Sequence, residues 1–450
     1  MVAERIAGEP VDPSILGKPL ELNCGRTVRN RIMKAALTER VSSYCPENPK
    51  ENGLPSETII NMYGKWGNGG FGIILTGNVI VDPLHLESPG NIIISRENDS
   101  PKLRELLKRY AAACKQDGAL AIVQLSHGGR QTSEIVNPHP RSASDVQLMG
   151  KRRGFGFGKP TPYTEDELRN DVIERFAFAA EVCRDAGFDG VQLHAAHGYL
   201  LAQFLSPSTN KRTDKYGGSP ANRIRLVLET YAEIRKRIPA STKFIVGLKI
   251  NSIEFQENGL EVGDAREMCE LLEESGVDFV EMSGGTYEKL AFMHLRETTK
   301  AREAFFLDFT DQIRSVFKKT KMFVTGGFRT VKWMVKVIED GNCDAIGLGR
   351  PITAEPDLPK KILQYGVAAA ADNKIDQQDF LFTNLVSNTQ MWQAGKRPFS
   401  ECQKVTDDIV DMTVQETADR YKKEAQDYLD RASELGSRGQ PVAGVFEYSN

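Results

Sequence analysis

The sequence predicts an α/β protein: a (β/α)8 TIM barrel with a long loop or lid after the third strand and a helical C-terminal extension. Eight short apolar runs, rich in Val, Ile and Phe, alternate with segments of helical periodicity over about 330 residues. The runs are almost continuously apolar, which is typical of strands buried on both faces of a parallel sheet. A doubly wound open sheet is the alternative.

The predicted strands each follow one apolar run. They occupy residues 30–36, 71–80, 119–125, 188–194, 244–251, 277–283, 321–325 and 344–348. Helical patterns occupy residues 57–68, 100–117, 165–186, 220–237, 262–275, 308–318, 330–340 and 356–365. Ser56 can cap the first of these helices, and Gly187 can end the third.

Two segments are longer than the usual barrel connection of about 2–6 residues, namely 126–164 and 284–307. Both should emerge at the C-terminal face, where barrel loops build active sites. The first contains GFGFG at 154–158. That stretch follows no strand directly and opens no helix, so it is interpreted as a flexible lid rather than a dinucleotide-binding motif.

The barrel is predicted to span residues 1–366 and the extension residues 367–450. Helical patterns in the extension cover 376–394 and 411–435, and about the last 15 residues are expected to be mobile. The composition leaves open whether the extension packs beneath the barrel or against a second molecule.

Composition and charge exclude several classes of partner. The 450 residues carry 58 Lys and Arg against 61 Asp and Glu, a net charge of −3, so no basic stripe favours nucleic acid. No run of 18 apolar residues and no apolar signal core is present, so no membrane partner and a cytoplasmic location are expected. Seven scattered Cys without a C-x-x-C pair support neither a disulfide framework nor a zinc or iron–sulfur site.

The strongest candidates for catalysis follow the fourth predicted strand, in HAAHGYLL at 194–201. Neutral imidazoles of His194 and His197 can donate N–H bonds to one developing oxyanion, and the hydroxyl of Tyr199 can act as general acid. Packed core histidines are the alternative. A metal site would need further ligands at suitable spacing, and none is found. His127, after the third strand, could reach the same mouth.

A second motif follows the seventh and eighth predicted strands, in KMFVTGGFRT (321–330) and GLGRP (347–351). In barrels these two loops often bind phosphate through backbone N–H groups. Gly326, Gly327 and Gly349 permit close approach of the backbone, and Arg350 offers a guanidinium fork.

Together these motifs resemble the Old Yellow Enzyme family of flavin-dependent oxidoreductases, over about residues 12–365. The most specific match is HAAHGYLLAQFLSPSTNKRTDKYGGSPANRIR at 194–225. Supporting matches are LGKPLELNCGRTVRNRIMKAALT (16–38), GGFGIILTG (69–77), AIVQLSHGGR (121–130) and GLGRPITAEPDLPKK (347–361). The His-x-x-His form is similar to the branch that includes bacterial relatives.

The resemblance implies noncovalent FMN at the barrel mouth and NAD(P)H as electron donor. Thr38 would approach a flavin carbonyl, with backbone contact from Ala36 and Leu37, and Gln124 would bind the pyrimidine edge. Gly327, Gly349 and Arg350 would hold the phosphate. The other implied cofactor contacts are Asn78, His194, Lys249 and Gly326.

Three positions depart from the family pattern. Lys249 replaces the usual Arg beside flavin N1, so the cation is a point charge without the fork. Ala35-Ala36-Leu37 stands for Ala-Pro-Met, and Arg40 stands where bacterial relatives have an aromatic residue. No Cys cluster follows residue 343, so FMN alone is expected rather than FMN with an iron–sulfur cluster.

The function that the resemblance implies is an NAD(P)H-dependent ene-reductase acting on small α,β-unsaturated carbonyl compounds. Hydride would pass from flavin N5 to the β-carbon, His194 and His197 would bind the carbonyl, and Tyr199 would protonate the α-carbon. The alternatives are an amine dehydrogenase or demethylase, a flavin-binding protein without turnover, and a flavin-free aldolase using Lys249. A monomer or homodimer is expected.

Overall fold

A computed structural model describes residues 4–151, 154–251, 262–283, 313–377, 379–440 and 444–449. Eight parallel strands form its centre: β1 (Ile32–Lys34), β2 (Ile73–Ile80), β3 (Leu120–Ser126), β4 (Gly190–Ala195), β5 (Ile245–Asn251), β6 (Phe279–Ser283), β7 (Lys321–Thr325) and β8 (Ala345–Leu348). Each pairs with the next, and β1 pairs with both β2 and β8. The sheet therefore closes, which confirms the predicted barrel and excludes the open sheet.

The barrel strands are buried on both faces, as their apolar runs predicted. Every residue of β2 and of β5 is buried. The register of β2 against β3 shifts between Leu75 and Asn78, an irregularity in the middle of the strand. All eight strands lie within two residues of their predicted limits.

An antiparallel hairpin that the sequence analysis missed precedes β1. Leu20–Glu21 pairs with Thr27–Val28. Leu20 and Val28 pack with Met33 and Phe279 of the barrel interior. The hairpin thus covers the amino-terminal end of the barrel and leaves the carboxyl end for a site.

Helices surround the barrel and continue into the extension. They are α1 (Glu57–Gly67), α2 (Pro101–Cys114), α3 (Glu174–Asp185), α4 (Arg225–Arg237), α5 (Val262–Ser275), α6 (Val331–Glu339), α7 (Leu358–Tyr365), α8 (Phe380–Ala394) and α9 (Gln415–Ser437). Shorter helices span Leu200–Leu205, Pro220–Arg223 and Pro351–Ala354. Ser56 caps α1 by accepting a bond from the Ile59 amide. None of the described helices is long and apolar enough to cross a membrane.

The long loop after β3 is folded. Arg141–Ser142 pairs with Thr161–Pro162. In the glycine-rich stretch, a Cβ at Gly154 would lie 2.9 Å from Cα of Gly436 in α9. This stretch therefore contacts the extension. The other predicted long loop, 284–307, and residues 308–312 of the predicted helix 308–318 lie outside the described residues.

The extension helix α8 lies at the mouth of the barrel, a position that was not among the two considered from the sequence. Asn388 donates to the Thr38 carbonyl, 2.9 Å away, and Thr383 accepts from Arg350 at 2.6 Å. On the opposite side, Leu385 and Tyr448 belong to a separate apolar cluster with α9. The division at residue 366 and the mobility of the last residues stay predictions.

Candidate active site

A cavity of about 270 Å³ opens at the carboxyl ends of the barrel strands. Every residue that the sequence analysis assigned to catalysis or to cofactor binding lines it. These residues are Ala36, Leu37, Thr38, Asn78, Gln124, His194, His197, Tyr199, Lys249, Gly326, Gly327, Gly349 and Arg350. They come from β2–β5 and from the loops after β1, β4, β7 and β8, so barrel closure brings them together. Their individual roles stay predictions.

The two site histidines form part of a chain of hydrogen-bonding groups. Nε2 of His194 lies 3.1 Å from Nδ1 of His197. The chain continues from His194 Nδ1 to Ser126 Oγ at 3.3 Å and from His197 Nε2 to Ser283 Oγ at 2.9 Å. The ring of Tyr199 lies 4.7 Å from that of His194, centroid to centroid. In this arrangement the imidazoles contact each other rather than pointing together at one ligand atom.

A tight turn places His197. Its φ of 59° and the φ of 78° at Gly198 lie in the left-handed region. The His197 amide donates to Asn251 Oδ1 at 3.0 Å, and Gln131 Nε2 donates to the His197 carbonyl at 3.1 Å. These bonds fix a conformation that a histidine otherwise adopts seldom.

Both site histidines are neutral at physiological pH. Burial, and secondly Lys249, lowers the pKa of His197 to about 3. Burial also holds the pKa of His194 well below its ordinary value, with further contributions from His197 and Lys249. A neutral imidazole carries one N–H, so each ring offers a hydrogen-bond donor and no charge.

Lys249 is held by an acidic partner inside the barrel. Its Nζ lies 3.0 Å from Glu281 Oε1, and the side chains are 5% and 0% exposed. Gln192 donates to the second oxygen of Glu281 at 2.8 Å, and Gln124 donates to Gln192 at 2.7 Å. This buried network joins the Lys249 and Gln124 side chains of the cavity. The carboxylate of Glu281 offsets the lysine charge.

Unpaired polar atoms show that the cavity fits a polar ligand. Asn78 Nδ2 and Thr325 Oγ1 are buried without a partner among the described residues, and both residues line the cavity. A Cβ at Gly347 would collide with Thr325 Oγ1, so any larger residue there would displace the Thr325 side chain. Buried donors are rarely left unsatisfied, and a ligand with ring carbonyls and nitrogens would satisfy them.

The sequence analysis missed one wall of the cavity. Phe380, Asn384, Ser387, Asn388 and Met391 line it from α8, at the spacing of one helix face. The available signal was the composition of residues 380–394, which contain no Asp, Glu, Lys or Arg. An uncharged helix of this length predicts burial on more than one side.

Two further histidines form a polar cluster outside the cavity. His85 and His127 stack at 4.2 Å, with His85 Nδ1 lying 3.1 Å from Asp82 Oδ2. The Arg141 amide donates to His85 Nε2, and the Gly129 amide donates to His127 Nδ1. The opposite ring nitrogens, which face Asp82, must therefore carry the protons. His127 Nε2 lies 3.1 Å from the Tyr163 hydroxyl and 3.7 Å from Asp82 Oδ2. A protonated ring nitrogen has no lone pair to offer a metal ion. The expectation that His127 could reach the mouth was wrong, because it is not part of the described cavity lining.

Comparison with known proteins agrees with this geometry. Residues 16–368 match the model of the NADH:flavin oxidoreductase / NADH oxidase family. The chain is 43% identical over 431 residues to the NADH-dependent flavin oxidoreductase nadA of Aspergillus parasiticus, a match that covers 94% of each chain. It belongs to the Old Yellow Enzyme family. A match of that coverage includes part of the extension, beyond the end of the family model.

Solved structures show the same fold, an Old Yellow Enzyme homologue among them. The homologue from Zymomonas mobilis is 23% identical with a TM-score of 0.66, covering 82% of this chain and 96% of its own. A 2-naphthoyl-CoA reductase complex is 26% identical with a TM-score of 0.69, covering 78% of this chain and 52% of its own. Old Yellow Enzymes bind FMN noncovalently and take electrons from NAD(P)H, and the unpaired cavity donors, Lys249 and the glycines beside Arg350 fit that cofactor.

Proposed function

We propose that this flavin oxidoreductase reduces the activated C=C bond of α,β-unsaturated carbonyl compounds with electrons from NAD(P)H. The observation that carries the proposal is the placement of two neutral imidazoles and the Tyr199 ring in the cavity that fits FMN. Bound FMN supplies the hydride for such a reduction. The side chains must then hold the carbonyl and deliver a proton.

The histidines bind the substrate carbonyl by exchanging partners. In the structure His197 Nε2 faces the Ser283 hydroxyl and His194 Nε2 faces His197. An incoming carbonyl oxygen replaces these internal acceptors and receives N–H bonds from the rings. Neutral donors suit this task, since they stabilise the developing oxyanion without titrating near pH 7.

Tyr199 acts as the proton donor to the α-carbon. It is 4% exposed and precedes the short helix Leu200–Leu205, whose backbone fixes its position beside His194. Its hydroxyl proton is required only when the α-carbon becomes carbanion-like. Removing the hydroxyl should therefore slow alkene reduction without slowing flavin reduction by NAD(P)H.

Rapid-mixing kinetics of Tyr199→Phe test the proposal. Flavin reduction by NADH should stay near the parent rate, and cyclohexenone reduction should slow by about 10²–10⁴-fold. Quinone reduction, which needs no carbon protonation, should persist. Tyr365→Phe, at a side chain 70% exposed, is the matched control. Parent-like cyclohexenone reduction by Tyr199→Phe would contradict the role of Tyr199. A parent that oxidises NADH but reduces no enone would contradict the proposed reaction.

A further inference from the structure

A buried ion pair lies in the wall of the active-site cavity. Nη2 of Arg40 lies 2.6 Å from Oε1 of Glu87, and the side chains are 9% and 1% exposed. Both residues line the cavity together with His194 and Tyr199. The Glu87 carboxylate also acts on the pKa of His194, opposing the effect of burial. The pair therefore lines the same cavity as the histidine proposed to bind the substrate carbonyl.

The backbone holds Arg40 in an unusual conformation. Its φ is 60°, in the left-handed region that disfavours side chains with a Cβ. A Cβ at Gly90 would lie 2.5 Å from the Arg40 carbonyl oxygen, and the Ser42 amide donates to the Gly90 carbonyl at 3.0 Å. The loop that carries Glu87 thus packs directly on the loop that carries Arg40. This contact fixes the guanidinium in the cavity wall.

The guanidinium keeps an unused donor. Nε of Arg40 is buried and has no hydrogen-bond partner among the described residues. Oε2 of Glu87 lies 3.5 Å from Asn91 Nδ2, so the acid is held from its other side as well. A buried N–H of a charged group without an acceptor is unfavourable. An acceptor oxygen on a bound ligand would satisfy it.

We infer that Arg40 is a specificity-determining residue that binds a second oxygen of the substrate. The preferred substrate is then an unsaturated carbonyl compound with another acceptor oxygen, such as a carboxylate or ester carbonyl, remote from the reacting carbonyl. The histidines take one oxygen and Arg40 takes the other. This assignment rests on the proposed function for the reaction itself. Glu87 offsets the charge of Arg40, so both charged and neutral acceptor oxygens fit.

Binding of unreactive probes to the FMN-loaded enzyme tests the inference. Phenol offers one oxygen, whereas 4-hydroxybenzoate and methyl 4-hydroxybenzoate offer a second oxygen with and without charge. Changes in the absorption of bound FMN give each Kd. The parent should bind the two-oxygen probes about 10–100-fold more tightly than phenol. Arg40→Met should bind all three probes with similar Kd values. Arg40→Lys should recover part of the preference for 4-hydroxybenzoate, but not for its methyl ester.

Glu87→Gln provides an independent variant. It removes the acid that offsets Arg40, so 4-hydroxybenzoate should bind more tightly while the Kd of methyl 4-hydroxybenzoate changes less. An unchanged ratio in Arg40→Met, or an equal loss for phenol, would overturn the inference. The inference would also be overturned if the parent binds the two-oxygen probes no more tightly than phenol. The probes are not turned over, so their binding tests Arg40 independently of the reaction. If the probes show the expected Kd ratios but the parent reduces no enone, the proposed function is refuted and the role of Arg40 in binding a second oxygen stands.

Discussion

The stability of this protein should depend on pH between 7 and 5 through His127, which lies outside the active-site cavity. Burial, and secondly His85, lowers the pKa of His127 to about 4, against about 6.5 in an unfolded chain. Below pH 6.5 the unfolded chain therefore binds a proton that the folded protein does not. The free energy of unfolding is fully retained above that pH and declines as the pH falls toward 4.

The size of the effect follows from the same two values. Each pH unit within the window lowers the free energy of unfolding by about 1.4 kcal/mol per histidine. Between pH 6.5 and 5 the His127 contribution is thus about 2 kcal/mol. The pKa of Asp82 is held well below its ordinary value, so this carboxylate begins to titrate only at lower pH.

The assay compares urea unfolding of the parent and His127→Gln at pH 7 and pH 5, followed by tryptophan fluorescence with excess FMN. Gln retains a donor and an acceptor at the position. From pH 7 to pH 5, the free energy of unfolding of the parent should fall by about 2 kcal/mol more than that of the variant. The other buried histidines contribute equally to the pH dependence of both proteins, so their contributions cancel in the comparison. His139→Gln, at an exposed histidine, is the control and should behave as the parent. Equal losses in the parent and His127→Gln would refute the reasoning.

Three further predictions concern the cavity and its wall. Arg350→Ala should weaken FMN binding by about 1.5–3 kcal/mol in a fluorescence titration, since a charge-assisted contact is lost, and parent-like affinity would contradict the phosphate assignment. In dye-linked titrations, Lys249→Met should lower the flavin reduction potential because a positive charge is lost, and Glu281→Gln should raise it because a negative charge is lost. A change of ~1.4 kcal/mol corresponds to ~30 mV. Shifts of the same sign in both variants would argue against an electrostatic cause. Tyr448→Ala should reduce the free energy of unfolding by roughly 3–5 kcal/mol, whereas Tyr448→Phe should cost much less, because it keeps the buried ring.

The barrel and most of its site could be predicted because they depend on local patterns. Each strand is a run of Val, Ile and Leu that needs burial on both faces, so its limits follow from where polar residues resume. His194, Lys249 and Arg350 lie at or just after strand ends, and parallel strands in a closed barrel bring those ends to one rim.

The rest of the site depends on contacts between distant segments, which a local pattern does not encode. Nothing in the sequence near Asn388 indicates that it bonds to the Thr38 carbonyl 350 positions earlier. Lys249 was assigned to the site, but its partner Glu281 lies in the next strand, whose apolar pattern was interpreted for burial alone. His127 was considered alone, although the loops after β2 and β3 stack its ring on that of His85.

The wall that α8 contributes has a consequence for the order in which the site is made. Ala394 is synthesised 46 residues after Leu348, the last residue of the barrel strands. At about 5–20 residues per second, the ribosome needs roughly 2–9 s for that interval. During this interval the nascent chain already contains every barrel strand and the glycine loops after β7 and β8. The cavity wall that α8 contributes is still missing. The barrel mouth therefore stays wider until α8 packs beside Thr38 and Arg350.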